Sequence, residues 1–178
     1  AFCREVRHRP MSETQPNQKL ILLDTNVWID YFVPSRPGFD IATKLVYAIA
    51  ESECELVYSA HSLADLAYIV RQSQKADLRS AKTEITDAAA LAIAEYTWGC
   101  VDAMDLLATA VHFDTRTVWL ARKLKHTNLD FEDCLVLAAC QLANARYLVT
   151  SDSQLREKAP LAALSPGDML SYLESGAA

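Results

Sequence analysis

The sequence predicts an α/β chain: a single three-layer domain with a central parallel sheet flanked by helices. Two aliphatic runs carry that expectation, Leu20-Ile21-Leu22-Leu23 and Tyr147-Leu148-Val149-Thr150. Neither alternates apolar with polar residues, and each is short and bounded by turn formers. That is the pattern of a strand buried on both faces. Between and after them, apolar residues at helical spacing alternate with further strand-like runs, an order that implies parallel strands joined by right-handed crossovers. Composition agrees: 51% of the 178 residues are hydrophobic, with four glycines and six prolines, enough apolar material for one real core.

Taken in order, the first run stops at Asp24. Thr25 and Asn26 suit a tight strand-to-helix turn, Val27 to Tyr31 reads as one short amphipathic turn of helix, and Pro34 to Gly38 as a loop. Ile41, Leu45, Val46 and Ile49 predict a helix from Asp40 to Glu51, and Glu55 to Ser59 a second strand. Ser62 is placed to cap a helix over Leu63–Gln72, with Leu63, Leu66, Ala67, Ile69 and Val70 inward and Asp65 in its first turns. A long helical pattern covers Ala76 to Tyr96, with the alanines from Ala88 to Ala94 as a packing face. Leu106 to Phe113 fits a short strand, although Asp102 to Ala110 equally fits a helix. Thr115 to Leu124 predicts a helix ending in the basic cluster Arg122, Lys123, Lys125 and His126. These cations complement the negative end of the helix dipole and are also candidates to touch phosphate. Asp130 is a good N-cap for an apolar helix containing Cys134 and Cys140 and ended by Ala143 and Asn144. After the Tyr147 strand come a short helix, Ser153 to Lys158, and an edge strand within Leu161 to Leu164. A terminal helix from Pro166 to Glu174 follows, with Ser165 as its cap and proline at its first position.

Residues 1–18 are expected to be a disordered extension to one domain over 19–178. They are polar, carry Arg4, Arg7 and Arg9, and lack the apolar stretch of a secretory signal, and Met11 is a candidate natural start. No apolar run reaches the roughly 18 residues that span a bilayer, so no membrane association is expected and a cytoplasmic location is. The five cysteines show no CxxC pair and no zinc spacing with the four histidines, which suggests reduced thiols. A net charge of −6 argues against broad binding of nucleic acid through overall charge. It leaves room for a local basic groove, or for an acidic site that meets phosphate through metal.

Two predicted strands end in acid, at Asp24 and Asp152, and parallel strands place both at one sheet edge, where open α/β sheets bind ligands. The neighbouring helices bring Asp65 and Asp133 toward that edge. Each acid also has a plain account, as an N-cap or as a complement to a helix dipole. Four ionised carboxylates in one place repel one another, and a hard divalent ion with oxygen ligands, Mg²⁺ or Mn²⁺, is the simplest remedy.

These residues resemble a family. Leu20 to Asn26, Ser59-Ala60-His61-Ser62-Leu63-Ala64-Asp65-Leu66, Asp130-Phe131-Glu132-Asp133-Cys134-Leu135, Tyr147 to Asp152 and Leu164 to Leu170 are similar, in order and spacing, to segments of PIN-domain ribonucleases. The likeness runs from about Lys19 to Leu173. It implies a PIN-like fold and metal-dependent endonucleolytic cleavage of RNA, as in VapC-like toxins of bacterial toxin–antitoxin pairs. It further implies a cognate antitoxin partner and a homodimer. Carried over residue by residue, it assigns catalytic and metal-binding roles to Asp24, Asp65, Asp133 and Asp152, and an accessory metal role to Asp130. Asp65 departs from the pattern, since the family more often has Glu there, and the change shortens the reach by one methylene. Thr150, Ser151 and Asn26 are candidates to orient ligands or water. A phosphatase would want a second acid two residues after Asp24, where Asn26 stands. The remaining alternative is a degenerate PIN-fold module that binds RNA or a partner without cutting.

Overall fold

The computed structural model describes residues 19–176, and the extension expected over 1–18 lies outside them. The described residues form five parallel strands and eight α-helices in the order β1 (Lys19–Leu23), α1 (Thr25–Phe32), α2 (Phe39–Glu51), β2 (Cys54–Ser59), α3 (Ser62–Ser80), α4 (Asp87–Leu107), β3 (Thr109–Val111), α5 (Thr115–Lys123), α6 (Phe131–Ala143), β4 (Tyr147–Val149), α7 (Ser153–Lys158), β5 (Ala163–Leu164) and α8 (Pro166–Glu174). The sheet order is β3-β2-β1-β4-β5. Leu22 pairs with Val57 on one side and Leu148 on the other, so β1 is the central strand. The chain steps outward from β1 to β3, then returns to the other side of β1 for β4 and β5. The order reverses between β1 and β4, and a crevice opens at the carboxyl ends of strands on either side of such a reversal.

The aliphatic runs lack alternation because both faces of the sheet are covered. Ile21 and Leu23 join one core with Trp28, Leu45, Ile49, Leu66 and Met104, beneath α1–α4 and α8. Leu20 and Leu22 join the other with Leu137, Leu148 and Leu155, beneath α5–α7. The four described cysteines, Cys54, Cys100, Cys134 and Cys140, are free and buried in these cores. Among the described residues no helix is long and apolar enough to cross a membrane.

Three local expectations need correction. The helical pattern starting near Ala76 belongs to two helices, α3 continuing to Ser80 and α4 beginning at Asp87. Lys82 takes a left-handed conformation (φ 53°), and the Thr86 side chain caps α4 by accepting from the Ala89 N–H at 3.2 Å. A period of 3.6 continued through that break in the sequence, but the backbone did not. The alanines Ala88, Ala90 and Ala92 lie exposed on α4 beside Leu91 and Trp98, rather than packing inward. Ser62 does not cap α3: it sits inside the helix, buried, and accepts a hydrogen bond from the Thr25 hydroxyl at 2.7 Å. Both readings of the segment around Leu106 are realised in succession, helix to Leu107 and strand from Thr109.

The turn that returns from α1 to α2 is held by a buried charge. Asp30, 7% exposed, pairs with Arg36, and a Cβ added to Gly38 would run into the Asp30 carboxylate. Gly38→Ala should therefore cost about 1–3 kcal/mol, because the carboxylate must leave its partner or the helix must shift. Urea denaturation of the two proteins measures this, and an unchanged midpoint would mean that the turn yields freely.

Candidate active site

Asp24 follows β1 directly, and its N–H donates to the Val149 carbonyl at 2.9 Å, which locks the ends of β1 and β4 together. One carboxylate oxygen accepts from the Thr25 N–H at 2.6 Å, the N-cap of α1. The other accepts from the Thr150 hydroxyl, also at 2.6 Å. That hydroxyl, wholly buried, in turn accepts from the Asn26 amide at 3.2 Å and the Asp152 N–H at 3.0 Å. Asn26 completes the ring by accepting from the Ser151 N–H at 3.2 Å. Thr150 and Asn26 thus tie Asp24 to the backbone at Ser151 and Asp152.

Around this network lies a cleft of about 280 Å³ lined by Asp24, Asn26, His61, Asp65, Glu132 and Asp133, among others. The sheet edge supplies Asp24, the first turn of α3 supplies Asp65, and the first turn of α6 supplies Glu132 and Asp133. Asp130 is the N-cap of α6, accepting from the Asp133 N–H at 2.8 Å. Asp152 is the N-cap of α7, accepting from the Gln154 and Leu155 N–H groups at 2.7 and 3.0 Å. Asp130 and Asp152 are exposed and do not line the cleft. The structure therefore places Asp24, Asp65 and Asp133 on one cavity, with Asp130 and Asp152 within electrostatic reach of Asp133.

The charges report the crowding. Burial pushes the Asp24 carboxyl above its usual range, against the hydrogen bonds from Thr150 and Thr25, and Asp152 adds to the rise. Asp133 is pushed up to about 6, first by partial burial and then by Asp130, Asp24, Asp152 and Glu132. Neither of the salt bridges among the described residues, Arg36–Asp30 or Arg116–Asp114, relieves these acids. On the opposite wall, burial lowers the His61 pKa, and Asp65 partly opposes that. Its Nδ1 lies 2.6 Å from the Ser59 hydroxyl. Sequence reasoning gave no role to His61 or Glu132. His61 was visible only as part of a motif, and Glu132 as one acid more than capping needs.

Among the described residues no three Asp, Glu, His or Cys side chains converge as a ready-made cage for a metal ion. A cage is not what the donor set calls for. Mg²⁺ keeps several waters and is held through one or two carboxylates, and the acids here, with their all-oxygen donors, suit such a hard ion. Asp24 and Asp133, facing one cleft with raised proton affinity, fit that role.

A family model described as PIN domain matches residues 20–154. No curated protein matches the sequence. Among solved structures, the chain is similar to VapBC2 from Rickettsia felis bound to a DNA fragment from its promoter, with a TM-score of 0.57 at 17% identity, covering 82% of this chain and 98% of that one. It is similar to FitAcB from Neisseria gonorrhoeae at a TM-score of 0.57 and 17% identity, covering 83% and 98%. PAE2754 from Pyrobaculum aerophilum gives 0.53 at 13% identity, covering 89% and 98%. At these identities the likeness is one of fold.

The crowding has a pH signature. Without metal, Asp133 holds a proton in the folded chain up to about pH 6, whereas an unfolded Asp releases it near 3.9. The native state then binds more protons than the unfolded state across that window, so the residue's contribution to stability falls as pH rises through it and stays low above it. Asp133→Asn should be more stable than the parent at neutral pH, with the difference shrinking toward the acid end. Thermal midpoints in EDTA across this range decide it, and a difference that does not change with pH would show that Asp133 is not crowded.

Proposed function

Because this chain belongs to the PIN-domain family, we propose that it is a Mg²⁺- or Mn²⁺-dependent endoribonuclease, the toxin of a bacterial toxin–antitoxin pair. The observation that carries the reading is that acids from three separate parts of the fold, Asp24, Asp65 and Asp133, line one cleft at the carboxyl edge of the sheet. A bound divalent ion supplies Lewis-acid polarisation of a phosphoryl oxygen and lowers the pKa of its water.

The residues of the chain do the rest. Asp24 and Asp133 would hold the ion, and Asp65 would reach it from α3 directly or through water. Asp152 and Asp130 add charge and orient water at the open side. Thr150 fixes the Asp24 carboxylate so that its rotamer does not have to be ordered during the reaction. In the cleavage step a water oxygen bonds to phosphorus while the bond from phosphorus to the leaving ribose oxygen breaks. The acids accept the water's proton, and the departing ribose oxygen takes up a proton from solvent.

The structural likeness to VapBC complexes supports a cognate antitoxin partner. The outward face of α4, with Leu91 and Trp98 each 63% exposed, supports burial against a second protein chain, whether antitoxin or a second copy in a homodimer. The absence of a membrane-crossing helix among the described residues is compatible with a cytoplasmic location.

Asp24→Asn should abolish cleavage of cellular RNA in Mg²⁺ or Mn²⁺ while keeping the fold, since it removes an anion from a crowded site and retains a cap acceptor. Calorimetric titration should show Mn²⁺ binding to the parent that is lost in the variant. A parent that binds no Mn²⁺ at millimolar levels sinks the metal-dependent reading, and a variant that unfolds makes Asp24 a structural cap instead.

Asp65 gives a finer test. With Asp65 in the same cleft as Asp24 and Asp133, Asp65→Glu should keep or raise the cleavage rate by restoring the longer reach. Asp65→Ala should lose about 10–100-fold. Equal rates for all three proteins, at equal folded concentration, would remove Asp65 from the site. No cutting by the parent in metal and without antitoxin would favour the non-cleaving binding module.

A further inference from the structure

We propose that the segment from Thr115 to Thr127, beside the cleft, is a track for single-stranded RNA: the Trp119 ring stacks an unpaired base, and Arg122, Lys123 and Lys125 bind the phosphates next to it. The inference rests on the nuclease reading and says how the strand is delivered. The chain carries a net charge of −6 and the cleft is acidic, so a polyanion needs a positive approach.

That approach is concentrated in one place. From Thr115 to Leu129 there is no acidic residue, while Arg116, Arg122, Lys123, Lys125 and His126 fall within it. Helix α5 sorts them by face. Thr117 and Ala121 are buried, and Arg116, Trp119, Arg122 and Lys123 are exposed. Arg122 and Lys123 lie one turn beyond Trp119, on the same side of the helix. Arg116 is tied to Asp114. Among the described residues no acid forms a salt bridge with Arg122, Lys123 or Lys125.

Trp119 is 59% exposed, and the Lys123 ammonium lies over its ring at 5.2 Å from the centroid. A helix end that only complements its dipole accounts for the cations but not for a large aromatic kept in solvent among them. An exposed ring flanked by cations is the arrangement that proteins use to hold single strands, with base on ring and phosphate on ammonium.

The track also leads to the acids. The 3₁₀ turn Leu124–Thr127 follows α5 directly and packs against α6, the helix whose first turn carries Asp133. Lys158, at the end of the helix that Asp152 caps, donates to the Asn128 carbonyl at 3.0 Å. The positive strip therefore ends at the start of α6, which carries Asp130 and Asp133.

The test uses the full chain in EDTA, where binding is read without cleavage, and the fluorescence anisotropy of a short, unstructured, labelled oligoribonucleotide. Trp119→Ala should weaken binding about tenfold, with Trp119→Phe keeping most of the affinity. The triple change Arg122→Gln, Lys123→Gln, Lys125→Gln should flatten the slope of log affinity against log salt by about 0.7 for each phosphate no longer engaged. Unchanged thermal midpoints will confirm that these surface variants fold. Parent-like affinity and salt slope in both sets overturns the track even if the parent cuts RNA, and leaves the nuclease reading standing. Equal parent affinity for a duplex of the same sequence overturns the stacking role of Trp119. A parent that binds through these residues and never cuts in Mg²⁺ upholds the track and ends the nuclease reading instead.

Discussion

One buried hydroxyl holds the acidic edge of this fold together. Thr150 donates to Asp24 and accepts from Asn26 and from the backbone of Asp152, so one side chain joins the end of β1, the start of α1 and the start of α7. A threonine is needed because the position asks for one donor and two acceptor sites on a single small atom, inside a core that excludes water. Valine would fill the same space and leave a carboxylate unpartnered, which costs more than an ordinary lost hydrogen bond. The register of β4 against β1 sets this arrangement, since Val149 must lie opposite Leu23 for Thr150 to fall beside Asp24.

The acids themselves do two jobs. Asp24, Asp130 and Asp152 each occupy an N-cap, so a backbone N–H engages one oxygen and the partial positive charge of a helix start offsets part of the mutual repulsion. Three helix starts thus lie toward the carboxyl edge of the sheet: β1 and β4 hand over to α1 and α7 there, and α6, which leads back into the start of β4, begins there. The capping account and the site account of these residues are therefore not rivals. Capping brings the carboxylates to this edge and fixes them there, and the leftover oxygens are what a ligand can meet. Asp133, which has no cap to make, is the acid whose proton affinity rises to about 6.

The sheet was legible because its strands are buried on both faces, and unalternating aliphatic runs as short as Leu20–Leu23 suit little besides a covered strand. Caps at Asp130, Asp152 and Ser165 were legible because capping is local chemistry. The break between α3 and α4 was not, since apolar spacing persists across it and the left-handed Lys82 carries no glycine to mark it. Ser62 was misread as a cap because its real partner, Thr25, is distant in sequence and close only after folding. The same limit applied to the cleft. Asp24, Asp65 and Asp133 could be named one by one from strand ends and motif order, but the proximity of His61 and Glu132 to them arises from how α3 and α6 seat on opposite sides of β1.

The pairing of β1 with β4 also bears on when the protein comes into being. Asp24 meets Thr150 across 126 positions of chain, and such distant pairings form late and slowly. At roughly 5–20 residues per second, a ribosome that has made Asp24 needs several seconds or more to deliver its partner. During that interval the nascent chain carries the first acid of the crevice without the strand that aligns it. Whatever chemistry the crevice performs is thereby withheld until β4 has been made and has emerged, so the topology itself acts as a timer on the emerging polypeptide.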